Sequence, residues 1–204
     1  MSYSNLDCAK LQPRTIGSSV LFALMVLVGV LISLLIAPGV DGLMGAYLAT
    51  LMGAIAANDA RHYLIPNELS AAAFGLALLR AGAIMPDSGV SSMLLASFRA
   101  AMVALPLLLL LLFYRYWRRR DGLGLGDVKL AAVAGAWLEF TTVAVVIELA
   151  ALSAIAAYTA NAVIRKRPLR ATAFLPFGFF LAPSIWVGWL CERWLVDWVK
   201  VWGG

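Results

Sequence analysis

Charge and metal-binding chemistry are what this chain has least of. Only 13% of its 204 residues are charged and 63% are hydrophobic, where a soluble domain carries about 25% charged residues. The longest polar stretch is about a dozen residues, so no soluble domain fits between the apolar runs. There is one histidine, His62, and two cysteines, Cys8 and Cys191, near opposite ends. That excludes a Cys-x-x-Cys pair and a disulfide framework, and leaves too few nitrogen and sulfur ligands for a zinc site. The net charge of +5 is not a nucleic-acid signal, because the basic residues fall in short clusters between apolar runs, as membrane loops do.

What the chain does have is apolar runs near the ~20 residues that cross a bilayer, with a mean hydropathy of +0.89. It reads as an all-α polytopic bundle with about seven membrane segments, at roughly 18–37, 42–58, 68–84, 93–114, 127–138, 140–164 and 174–195. The whole of 1–204 is expected to form one integral membrane domain, with 1–17 a short cytoplasmic segment. Lys10 and Arg14 precede a first run too long for a cleaved signal, so a retained anchor is expected. The fifth segment is short for a full crossing.

Orientation follows from the basic residues. With the N-terminus inside, Lys10, Arg14, Arg61, Arg115, Arg118, Arg119, Arg120, Lys129, Arg165, Lys166, Arg167 and Arg170 are inside, and only Arg80, Arg99, Arg193 and Lys200 are outside. The asymmetry predicts N-in and C-out, and argues that the fifth segment crosses. Asp59 then ends the second segment and Asp127 begins the fifth, two crossings apart and at the same membrane face.

The surroundings of these two acids are unusual. Gly122-Leu123-Gly124-Leu125-Gly126-Asp127-Val128-Lys129-Leu130 carries three alternating glycines, poor helix material that lets another chain approach closely. Asn58-Asp59-Ala60-Arg61-His62-Tyr63-Leu64-Ile65-Pro66-Asn67 contains a proline that stops a helix and biases Ile65 to an extended backbone. Asn67 is expected to cap the following helix, with Glu68 in its first turn. Arg61 can lower the Asp59 pKa or bind lipid phosphate. Leu175-Pro176-Phe177-Gly178 breaks helix geometry at the start of the last segment. Two carboxylates brought close in a desolvated site share a proton, so one can act as base toward water while the other donates to a carbonyl.

These motifs, Asp59 with Ile65-Pro66-Asn67, Gly124-Leu125-Gly126-Asp127-Val128-Lys129-Leu130, and Pro176-Phe177-Gly178, resemble the type IV prepilin leader peptidases, which are Gly-x-Gly-Asp membrane aspartic proteases. The resemblance runs from about residue 40 to 185. It implies that Asp59 and Asp127 are the catalytic pair. Gly124, Gly126, Arg61, Pro66, Asn67, Lys129, Pro176, Phe177 and Gly178 are expected to bind substrate or shape the loops. The implied substrate is a type IV prepilin or pseudopilin precursor, whose short basic leader is cut at the cytoplasmic face of the bacterial inner membrane. No cofactor or metal is expected. The chain lacks the cytosolic domain with paired Cys-x-x-Cys motifs found in bifunctional members, so it resembles the short, peptidase-only form and N-methylation is not expected. Phe179 stands where the resemblance implies proline in many relatives, a change expected to alter local shape rather than abolish activity.

Blander roles exist for each feature. Asp127 can be a helix N-cap, Asp59 a loop charge beside Arg61, and Lys129 a lysine snorkelling to the interface. Glu148 is an acid inside the sixth segment and needs a partner. The arginine clusters fit topology signals bound to anionic lipid, and Trp186, Trp189, Trp194, Trp198 and Trp202 an outer interfacial belt. Gly135 fits helix packing. The competing functions are another Gly-x-Gly-Asp intramembrane protease, disfavoured by Asn58 where a Tyr-Asp pair would stand, and a small transporter or assembly subunit. Homo-oligomerisation is left open.

Overall fold

The computed structural model describes residues 15–37, 39–84, 89–118, 124–166 and 176–202. Among them every regular element is a helix: α1 (Thr15–Ile36), α2 (Val40–His62), α3 (Asn67–Ile84), α4 (Gly89–Arg118), α5 (Leu125–Trp137), α6 (Phe140–Ile164) and α7 (Phe177–Trp202). Each of the seven expected segments contains one helix. Cys8, Lys10, Arg14, Arg119, Arg120, Gly122, Leu123, Arg167, Arg170 and Leu175 lie outside the described residues. By length and composition α2, α4 (over Gly89–Trp117) and α6 can cross a membrane, and Val20–Ile36 of α1 is a shorter apolar helix.

Several helices outrun their apolar cores. α4 begins and ends about four residues beyond the expected bounds, and α2 continues through Asp59 to His62. Hydrogen bonding along the backbone does not stop where side-chain polarity changes, so hydropathy alone misplaces these ends. Asp59 therefore stands in the last turns of α2 rather than beyond it. Tyr63 closes the helix in a left-handed conformation, φ 54°, its N–H donating to the Asp59 carbonyl at 2.9 Å.

The centre of the molecule is the short helix α5. At 13 residues it is about 20 Å long, less than the ~30 Å of bilayer hydrocarbon. It is not among the helices long enough to cross. It lies inside the protein: Val128, Leu130, Ala131, Val133, Ala134, Gly135, Ala136 and Trp137 are all buried. α4 and α3 flank it closely, with α7 behind, while α2 packs on α1, α3 and α7, and α6 on α7. Small residues make the close approach possible, as they do wherever helices pack without a hydrophobic drive from water. A Cβ at Gly135 would lie 2.8 Å from the Arg99 carbonyl oxygen and 3.0 Å from Ala100 Cα.

Two features differ from the sequence reading. The tryptophans of α7 are not a uniform belt, because Trp189 is fully buried and the Trp186 indole N–H donates to Ser33 Oγ of α1 at 3.0 Å. Trp194 and Trp198 are the exposed ones, while the side chain of Trp202 lies outside the described residues. Glu148, near the middle of α6, is exposed on the outer surface and does not turn into the bundle; nothing in the structure explains it.

The ends of the bundle are chemically distinct. At the end where α2 begins, Asp41 accepts from Arg80 Nε at 2.6 Å and lies 2.9 Å from Arg193 Nη1. Nearby Arg99 pairs with Glu139, whose N–H donates to Glu192 Oε1 at 2.8 Å. Gly135→Val is expected to cost about 1–3 kcal/mol through overpacking against the α4 backbone. Gly75→Ala, where an added Cβ meets nothing within 4 Å, should stabilise by about 0.5–1 kcal/mol. Thermal unfolding in detergent, compared with the parent, reads both.

Candidate active site

The other end of the bundle gathers the irregular stretches. Asp59 is 5% exposed despite its position near a helix end, and a buried carboxyl needs donors. They come from the first turn of α7. The Phe179 N–H donates to Asp59 Oδ2 at 2.8 Å, and the Gly178 N–H is a second backbone donor. These are amides that a helix start leaves without intrahelical partners, at the positive end of its dipole. Asp59 thus caps α7 from a different helix. Gly178 is buried and permits it: a Cβ there would lie 2.9 Å from Asp59 Oδ2 and 2.7 Å from Ile65 Cδ1. The bond needs a proton at residue 179, which a proline there would not have.

Asp127 sits in the first turn of α5, the third helical residue rather than its cap. Gly124 is the cap, and its backbone N–H hydrogen-bonds back to the Asp127 carboxyl while the Asp127 N–H donates to the Gly124 carbonyl at 3.1 Å. This is the acidic half of a capping box, with glycine in place of serine. Burial pushes the Asp127 carboxyl up to about 6; the negative charge of Asp59 pushes the same way, against the Gly124 hydrogen bond. The two acids therefore lie at one end of the bundle, near enough for the charge of Asp59 to act on Asp127.

Ile65 spaces them. It lies in the short non-helical link between α2 and α3, partly buried against the core. A Cβ at Gly126 would meet Ile65 atoms at 3.1–3.2 Å, so the same isoleucine packs against the backbones of both Gly126 and Gly178. Asn58 Nδ2 donates to the Leu64 carbonyl at 2.5 Å and holds the link in place. Pro66 immediately precedes α3, its carbonyl accepting from the Ser70 N–H at 3.2 Å. Asn67 is consequently the first helical residue, not the cap. Its Oδ1 instead accepts from Lys129 Nζ of α5 at 2.5 Å, a tie between two helices at this end.

The remaining expected residues are close by with different surroundings. Pro176 precedes α7, and Phe177, its first residue, packs partly against the core. Arg61 is exposed in the last turn of α2, beside His62, where positive charge suits the helix dipole. Sequence reasoning did not single out Ile65 as a spacer, Asn58 as a brace, or the Phe179 amide. The available signal was the pairing of Gly126 and Gly178 with a bulky residue held extended before Pro66. Among the described residues no cluster of three or more His, Cys, Asp or Glu is arranged to hold a metal ion.

The type IV leader peptidase family model matches residues 46–159, which includes both aspartates. The chain is 33% identical over 134 residues to the leader peptidase HopD of Escherichia coli, covering 64% of this chain and 82% of that one. It is 28% identical over 180 residues to a prepilin leader peptidase/N-methyltransferase of Aeromonas hydrophila, covering 86% of this chain and 58% of the relative. A protein of the same description from Stutzerimonas stutzeri is 31% identical over 150 residues, covering 70% and 48% respectively. The chain thus spans about half the length of these two larger relatives. No solved structure matches significantly.

The electrostatics give a titration. Asp127 is expected to hold its proton up to about pH 6 and to ionise above it. Asp59→Asn removes the neighbouring charge, so the midpoint should fall, yet stay above the ordinary carboxylate value because burial remains the larger cause. Infrared difference spectra of the carboxyl band against pH measure both midpoints, and an unchanged midpoint in Asp59→Asn would show that the two groups do not interact.

Proposed function

The chain belongs to the type IV leader peptidase family, and from that premise we propose that it removes the short basic leader of prepilin or pseudopilin precursors by aspartic catalysis. It is a peptidase with membrane-spanning helices. The observation that carries the finer reading is the meeting of Asp59 and Asp127 at one end of the bundle, where Ile65 packs against Gly126 and Gly178 and the charge of Asp59 adds to the burial that keeps a proton on Asp127.

The surroundings of the two acids suggest a division of labour. Backbone donors at the start of α7 favour negative charge on Asp59, whereas Asp127 retains its proton to about pH 6. Asp59 takes a proton from water as the oxygen attacks the scissile carbonyl carbon, and Asp127 gives its proton to the carbonyl oxygen. The tetrahedral diol then collapses: the C–N bond breaks, the proton on Asp59 passes to the leaving amine, and a diol hydroxyl returns one to Asp127. Water is the only co-reactant, and both carboxyls end as they began.

Substrate geometry fits the same end of the molecule. A precursor with a basic leader followed by a long apolar helix carries its scissile bond at the membrane interface, on the cytoplasmic side of the bacterial inner membrane. The concentration of Lys and Arg in segments at the Asp59 end supports that side. Bound lipid at those basic residues is part of the same reading.

The test is cleavage of a pilin precursor by the purified protein in detergent. Asp59→Asn and Asp127→Asn should each lower the rate by at least about a thousandfold, as loss of a central acid or base does. Product mass should equal the precursor without its leader. A cut within the apolar helix would favour a different intramembrane protease, and full activity in either variant would end the aspartic mechanism. A product heavier by one methyl when S-adenosylmethionine is supplied would overturn the peptidase-only expectation.

A further inference from the structure

Asp59 and Asp127 stand on helices that share no substantial interface. α2 lies against α1, α3 and α7, and α5 against α3, α4 and α7. The gap between the two carboxyls is therefore set through the helices between them. At the Asp59 end those ties are the Phe179 amide, the Lys129–Asn67 bond and Ile65. At the opposite end one side chain of α3 holds both helices at once.

That side chain is Arg80, itself 9% exposed. Its Nε donates to Asp41 Oδ1 of α2 at 2.6 Å. Its Nη1 donates to the Trp137 carbonyl at the end of α5 at 3.3 Å, and its Cζ lies 5.2 Å over the Trp137 ring. The Trp137 indole N–H in turn donates to the Ala73 carbonyl of α3 at 3.0 Å. Arg193 of α7, 2.9 Å from the other Asp41 oxygen, draws in the fourth helix. A planar guanidinium with donors on several edges can make these contacts together, and a lysine ammonium cannot.

We propose that Arg80 is a positioning residue for the paired carboxylates, clamping the far ends of α2 and α5 to α3 so that the tilt and rotation of both helices are fixed. Leverage makes the effect large. Asp41 and Asp59 are about 27 Å apart along α2 at 1.5 Å per residue, so a tilt of about two degrees about the Asp41 end moves Asp59 by about 1 Å. A displacement of that size is enough to cost about a hundredfold in rate. The inference rests on the reading of Asp59 and Asp127 as the reacting pair.

Two measurements test it. In Arg80→Gln and Arg80→Lys, kcat on a pilin precursor should fall about tenfold to a hundredfold while KM stays within about threefold, with Arg80→Lys recovering only part of the loss. The second readout does not need catalysis. Nitroxides on Ala60→Cys and Leu125→Cys, both exposed at the Asp59 end, in a background with Cys8→Ser and Cys191→Ser, report the distance between α2 and α5. The distance distribution should broaden in Arg80→Gln relative to the parent. A folded Arg80→Gln with unchanged kcat and an unchanged distribution overturns the proposal, as does full rescue of kcat by Arg80→Lys. If Arg80→Gln does not accumulate as folded protein, the Arg80→Lys distribution decides. A parent that cleaves no pilin precursor counts against the proposed function alone, and the distances still decide the clamp.

Discussion

A carboxylate seated on the first amides of a helix it does not belong to is the contact on which the other arrangements depend. Asp59 is buried and needs donors; the start of α7 has donors and needs an acceptor. Each resolves the other, and the pairing ties the end of α2 to the beginning of α7. The requirement then spreads. Residue 178 must lack a side chain, because a Cβ would lie within 3 Å of the carboxylate. α2 and α7 must run close along their length, and they do, with Trp189 buried between them.

α5 solves the companion problem of bringing a second acid to the same place. A long lipid-facing helix would keep its first turn at the periphery. A short, small-residue helix enclosed by α3, α4 and α7 brings its first turn to the end of the bundle, with Asp127 partly buried. The cost is that α5 cannot be anchored by its own length, and its two ends are held by side chains instead: Lys129 on Asn67 at one, Trp137 on Arg80 and Ala73 at the other. Breaking one partner of a buried charge pair strands the other. That makes the Asp41–Arg80 contact a place where helix position and ionic chemistry are coupled.

The legible part of this protein was its punctuation. Apolar runs located the helices among the described residues, because surfaces facing lipid or the packed interior demand them, and Pro66, Gly124, Gly126, Pro176 and Gly178 marked where the chain stops being regular. The acids were visible because carboxylates are rare at such positions. What was not legible depends on facing partners. Helices surrounded by lipid are apolar all round, so periodicity does not tell the buried Trp189 from the exposed Trp194. Nothing local to Arg80 names Asp41 or Trp137, and nothing local to Asn67 says that Lys129 will claim its side chain before it can cap α3. Ile65 looked like a residue conditioned by Pro66, and only its packing against two glycines distant in the chain makes it a spacer.

The spacer also bears on the chemistry. Two carboxyls are most useful when they differ, and their difference here comes from what surrounds them rather than from what they are. Burial presses on both, but Asp59 has two amides at the positive end of a helix to set against it, while Asp127 has one amide and the charge of Asp59 pressing it further to stay protonated. A polar residue at position 65 would bring its own dipole or water into the space beside Gly126 and Gly178, and would weaken the desolvation that is the largest influence on Asp127. An aliphatic side chain fills that space without offering a hydrogen bond to either acid. On the proposed mechanism the wedge therefore does two things at once: it sets how far apart the helices stand, and it keeps the proton on the side from which it is to be given.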